Sequence, residues 1–193
     1  MKKIETKVEQ QKNMISDINE HINTLYEYGK ECSHITEMGV RWVSSTWPLI
    51  YSNPKKMISY DIVKNENINE VINLASEYNI DYTFIEGDVL NLDIEPTELL
   101  FIDTLHTYNQ LYSELNKHSQ NVSKYIILHD TISFGNIDEN IYNHASDIVK
   151  SINSGKIGLI NAINDFLVSN NGKYWKIKEI FTNNNGLTIL ERN

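Results

Sequence analysis

Apolar residues recur at three- and four-residue steps through Ile4, Val8, Met14, Ile18, Ile22, Leu25 and Tyr26. That spacing predicts a helical segment over 4–28. Beyond Gly29 the pattern changes to short apolar runs that alternate with stretches of helical period. Strands are predicted at 34–40, 57–62, 82–86, 99–102 and 125–128, and helices at 45–51, 68–78 and 108–122. A further helix is predicted at 158–168, followed by β-rich runs at 175–181 and 187–191. Asn183-Asn184-Asn185-Gly186 separates those runs, and Asn-Gly between two such runs signals an antiparallel hairpin.

Strand and helix in alternation make βαβ units. The expected fold is therefore α/β: a doubly wound, mostly parallel seven-stranded sheet with an antiparallel C-terminal hairpin and an N-terminal helical segment. No repeat or Pro-rich linker interrupts it, so the expected division is a helical segment over 1–30 and one sheet domain over 31–193. Seventeen Lys and Arg against 26 Asp and Glu leave a formal charge of −9. Such a surface repels phosphate backbones, so general nucleic-acid binding is not expected. Lys2, Lys3 and Lys7 are interleaved with acids and read as a solvated helix face. With no long apolar run, no membrane span is expected, and the polar N-terminus does not read as a signal peptide. Cys32 is the single cysteine, which excludes an intramolecular disulfide and points to the cytoplasm. Trp42 and Trp47 read as packing residues.

Ligands of an open parallel sheet bind outside the carboxyl ends of its strands, near the point where strand order reverses. The predicted strands end on acids: Glu37 with Gly39, then Asp61, Asp88, Asp103 and Asp130. One acid at a strand end is an ordinary surface residue or cap. Five converging on one edge would repel one another without a cationic or hydroxyl-rich ligand. The acid ending the second strand, Asp61, is where a cofactor with ribose hydroxyls needs an acceptor.

Several segments resemble the motifs of class I S-adenosylmethionine (SAM) dependent methyltransferases. Glu37-Met38-Gly39-Val40-Arg41-Trp42-Val43-Ser44-Ser45-Thr46 resembles the first motif, although Val43 stands where the second glycine is usual. Ser59-Tyr60-Asp61-Ile62 and Glu86-Gly87-Asp88-Val89 are similar to the second and third. Leu100 to Tyr108 resembles the FIDGDHxY segment of a branch that includes macrocin-type sugar O-methyltransferases and cephalosporin hydroxylase relatives. His129-Asp130-Thr131 and the segment 158–167 match later motifs of that branch.

The resemblance implies methyl transfer from SAM to an oxygen of a small molecule or sugar. It places the cofactor on Glu37, Gly39, Ser44, Ser45, Asp61, Asp88 and Asp103. A divalent ion, Mg2+, would be held by Asp103 and Asp130 with His129, which stands where the branch usually has an acid. His106, three residues past Asp103, is the expected base, since imidazole is neutral near its ordinary pKa of about 6.5. Asp103 would assist it. Two other readings stay open: an inactive SAM- or nucleotide-binding module, suggested by Val43, and a metal-assisted reaction other than methylation. A homo-oligomer is compatible with the sequence.

Overall fold

Seven strands form one sheet in a computed structural model that describes residues 1–140 and 145–193. In chain order the strands are β1 His34–Met38, β2 Lys56–Asp61, β3 Asp81–Glu86, β4 Thr97–Ile102, β5 Val122–His129, β6 Trp175–Phe181 and β7 Leu187–Arg192. Their spatial order is β3-β2-β1-β4-β5-β7-β6. The first five are parallel, β7 runs antiparallel to β5, and β6 pairs antiparallel with β7. Strand order reverses between β1 and β4. The expected doubly wound sheet and closing hairpin are both present.

The helices are α1 Lys2–Asn13, α2 Ile22–Gly29, α3 Thr46–Tyr51, α4 Ile68–Glu77, α5 Tyr108–His118, α6 Asp147–Ser151 and α7 Leu159–Leu167. Alternate residues of each central strand point to opposite faces, so the sheet carries a core on each side. Ile35, Met57, Leu99, Phe101 and Ile127 pack against Ile4, Val8, Ile22, Leu25, Leu49 and Ile50. On the opposite face Met38, Ile58, Leu100, Ile102 and Ile126 meet Leu111, Leu115, Ile163 and Phe166. Helices α1 to α4 thus serve one layer and α5 with α7 the other. Among the described residues no helix is long and apolar enough to cross a membrane.

The structure departs from the periodicity in two places. The segment expected as one run over 4–28 is two helices, with Ile15 96% exposed between them. Here Ser16 and Asn19 side chains take the main-chain N–H groups of Ile18 and Ser16, which competes with helical bonding. The helix expected over 108–122 ends at His118, and the chain passes through a 3₁₀ turn into β5 at Val122. Helix α6, which the sequence pattern did not indicate, lies in the β5–α7 connection.

Candidate functional site

Register brings the strand ends together. Met38 lies abreast of Tyr60 on one side and Ile102 on the other, while Ile102 is abreast of Leu128. Gly39, Asp61, Asp103 and the His129-Asp130 pair therefore share one edge of the sheet. All but the buried His129 border a cleft of about 790 Å³, a size suited to a cofactor or a small ligand. The cleft wall includes Gly39, Asp61, Asp88, Asp103, His106 and Asp130, and adds Asp17, Gln110 and Glu139.

Its first wall is the loop after β1. Gly39 has φ +84°, and a Cβ there would lie 2.0 Å from the Asp103 carbonyl oxygen. Only glycine permits this close approach of β1 to β4. Arg41 and Val43 follow with φ of 45° and 62°. Val43 therefore keeps the left-handed turn that a glycine would adopt without cost, and its side chain is buried in the core beneath. Trp42, held between these two turns, projects outward and is 61% exposed on the cleft wall. It is not the packing residue the sequence suggested; Trp47, on α3, is.

Two carboxylates hold this loop. Asp61 accepts from the main-chain N–H groups of Val40 at 2.8 Å and Arg41 at 3.0 Å. Glu37, fully buried, accepts from the hydroxyls of Ser45 at 2.6 Å, Ser59 at 2.6 Å and Thr46 at 2.9 Å. Burial pushes its carboxyl up to about 7 against the pull of those hydroxyls. Glu37 points into the α1–α4 layer, as Ile35 does two residues earlier. It lies with Ser45 beneath the loop, and neither lines the cleft; nor does Ser44. Asp88 is on the wall, where its carboxylate accepts from the Leu90 N–H and the Asn91 side chain.

At the other end of the cleft the acids meet two imidazoles. His106 Nε2 lies 3.1 Å from Asp103 Oδ1 and 3.1 Å from Asp130 Oδ2, and Nδ1 lies 2.9 Å from Glu139 Oε2. The ring stacks on Phe134. Burial disfavours its charge, but Asp103, Asp130 and Glu139 outweigh this and raise its pKa. His106 thus does not offer the free neutral nitrogen expected of it, because both ring nitrogens face carboxylates. His129, fully buried, directs Nδ1 to Asp103 Oδ1 at 3.3 Å and donates Nε2–H to the Asp17 carbonyl at 3.0 Å. Against burial, Asp103 and Asp130 carry its pKa to about 9. Burial likewise opposes the Asp103 charge, yet the imidazoles of His129 and His106 hold that carboxyl well below the usual range.

Asp103, His129 and Asp130 each offer a ligand atom, all within 4.8 Å of one another. Asp130 sits in a left-handed turn with φ 59°, and its buried Oδ1 has no hydrogen-bond partner. An orphaned buried carboxylate oxygen in such a group suits a cation. The donor set fits a divalent ion.

Sequence reasoning missed Glu139 and Asp138, which lie in the aperiodic β5–α7 connection. Asp138 accepts from the N–H of Tyr108 and of Gly158, each at 2.8 Å, and so joins the starts of α5 and α7. Glu114 was missed too. Fully buried on α5, it accepts from Thr104 and Gln110, both of which line the cleft. Its signal was present, since Gln110 and Glu114 flank the apolar stripe of Leu111 and Leu115 at helical spacing.

No protein-family model matches the chain, and no curated protein sequence does. Solved structures do resemble it. A candidate O-methyltransferase from Klebsiella pneumoniae superposes with a TM-score of 0.64 at 12% identity, covering 100% of this chain and 89% of that one. An O-methyltransferase from Bacillus cereus in complex with SAH gives 0.61 at 13% identity, covering 100% and 91%. A candidate caffeoyl-CoA O-methyltransferase from Staphylococcus aureus gives 0.60 at 14% identity, covering 93% and 85%. At such identities the likeness speaks for the fold and not for the acceptor. The chain has the α/β Rossmann-like fold of the class I SAM-dependent methyltransferases.

Proposed function

We propose that this protein transfers the methyl group of SAM to an oxygen of a small molecule or sugar. The observation that carries the reading is the single cleft at the β1/β4 switch point, with Asp61 and Asp88 at one end and the Asp103, His106, His129 and Asp130 cluster at the other. Asp61 and Asp88 are the candidate acceptors for the ribose hydroxyls and the adenine amine, and Gly39 lets the loop approach the methionine part. That Val43 preserves the turn supports an intact cofactor loop. Glu37, Ser44 and Ser45 then act by holding the loop rather than by touching the ligand.

At the far end Asp103, Asp130 and His129 would hold a divalent ion. Two carboxylates and one imidazole suit Mn2+ at least as well as Mg2+. When bound, the ion supplies Lewis-acid stabilisation of an acceptor oxygen as it loses its proton. His106 is the candidate base: its Nε2 sits on the cleft wall, and Glu139 at Nδ1 makes the ring more basic. Once Nε2 has given up the proton it shares with Asp103 and Asp130, it can take one from the acceptor hydroxyl. The 31–193 unit carries this chemistry, with α1 and α2 of the 1–30 segment packed on the same face of its sheet as α3 and α4.

Calorimetric titration with SAM and with SAH, its demethylated product, tests the cofactor. A panel of catechol, phenol and sugar acceptors with SAM tests the transfer. No binding heat at millimolar SAM would refute the reading. SAM binding without methylated product from any acceptor would favour a binding module, and a product altered but unmethylated would favour different chemistry.

A further inference from the structure

The Asn183-Asn184-Asn185-Gly186 turn reads as a plain hairpin connection, yet it makes contacts far from its own strands. Asn184 donates from Nδ2 to the Ser16 carbonyl at 2.8 Å and accepts at Oδ1 from the Glu20 N–H at 3.0 Å. Buried His21 reaches back to the carbonyls of Asn183 and Asn184 at 3.1 and 3.2 Å. On its other side, the Asn185 carbonyl accepts from the N–H groups of Ile132 and Ser133, just after Asp130. Gly186 makes this approach feasible, since a Cβ there would lie 2.6 Å from the Ile132 nitrogen.

Between these two attachments sits His129, edge-on to His21. Its Nε2–H has one main-chain acceptor, the carbonyl of Asp17, in the loop that Asn184 holds at Ser16. We infer that the 183–186 turn is a clasp that positions His129. Asn184 fixes the Ser16 and Asp17 main chain so that the Asp17 carbonyl takes Nε2–H, which leaves Nδ1 turned toward Asp103 and Asp130. A carbonyl that accepts from the second ring nitrogen is the usual means by which a ligating histidine is oriented. The N-terminal loop and the C-terminal hairpin thereby become part of a site whose chemistry lies on β4 and β5. This rests on the metal reading proposed above.

Asn184→Gly is the suitable variant, because position 184 has φ 46° and glycine keeps that turn while losing the side-chain bonds to Ser16, Asn19 and Glu20. On metal-free protein, the His129 Nε2–H resonance should be protected from exchange in the wild type and broadened in the variant. Mn2+ affinity should fall about tenfold, while SAH affinity stays within a factor of about two. An unbroadened Nε2–H signal in the variant overturns the clasp whatever Mn2+ does. So does an unmoved Mn2+ affinity, or an SAH affinity that falls in parallel. A wild type that takes no Mn2+ removes the metal reading instead, and the Nε2–H comparison then decides the clasp alone. If Asn184→Gly does not fold, Asn184→Asp loses the donor to Ser16 and allows the same comparison.

Discussion

Replacing Glu37 with Gln should make the protein more stable at pH 8 and leave it nearly unchanged at pH 5. Glu37 is fully buried, and its carboxyl is carried from an ordinary 4.5 up to about 7. Between those values the folded state binds a proton that the unfolded chain has already lost. Stability therefore falls as pH rises, because the slope follows the protons bound by the unfolded state minus those bound by the folded state. The contribution is complete below pH 4.5 and gone once pH passes about 7. At about 1.4 kcal/mol per pH unit, the window is worth about 3 kcal/mol. Gln keeps the size of the side chain; its Oε1 can still accept from the hydroxyls on that side, and its Nε2 can donate to a hydroxyl that turns its oxygen toward it. Urea unfolding at half-unit steps from pH 5 to 8 would give both stability curves. The variant's should be flatter, and the two should diverge by up to about 3 kcal/mol at the alkaline end. Parallel curves would refute the reasoning and mean that the carboxyl stays ionised throughout, held by its three hydroxyls.

Val43→Gly should destabilise no more than Val43→Ala, against the usual order. Both lose about 1.5 to 3 kcal/mol of buried side chain, but only Gly relieves the left-handed turn, worth about 1 to 2 kcal/mol; thermal unfolding of the pair checks this. Asp61→Ala should weaken SAH by about 1.5 to 3 kcal/mol in calorimetry, and an unchanged affinity would remove Asp61 as the ribose anchor. His106→Gln should lower turnover about 10²- to 10⁴-fold with SAH affinity unmoved, whereas near-normal turnover per folded molecule would end its role as base. Chelation should abolish activity and Mn2+ or Mg2+ restore it; full activity in chelator would recast Asp103 and Asp130 as hydrogen-bonding residues.

The order of elements was legible because each central strand is buried on both faces and reads as a short apolar run, and because helical stripes separate those runs. Where the reading slipped, local polar side chains had overruled period. Met14 continues the apolar spacing of α1 but is half exposed, since Ser16 and Asn19 redirect the main chain just after it. The 108–122 stretch kept a helical pattern past His118 because Val122, which ends it, is equally at home as the first residue of a buried strand.

Legibility of the site followed the same division between what strand ends dictate and what tertiary contacts decide. An acid after a parallel strand is placed by the sheet itself, which is why Asp61, Asp103 and Asp130 converge as expected. Glu37 resembles them in being an acid near a strand end, yet it lies one residue inside β1 with the parity of Ile35, and that parity turns it into a helix layer rather than the cleft. Alternation alone would have separated it from the others. No such rule reaches Glu139, because its place depends on a long connection folding back to His106. The consequence for chemistry is direct. Read from sequence, His106 is a neutral imidazole near a carboxylate; in the structure Glu139 faces Nδ1 and two more carboxylates face Nε2, and these acids raise its pKa against the effect of burial. In the proposed transfer the carboxylates around His106 would therefore govern its availability as a base as much as the ring does, because both ring nitrogens already face an acid.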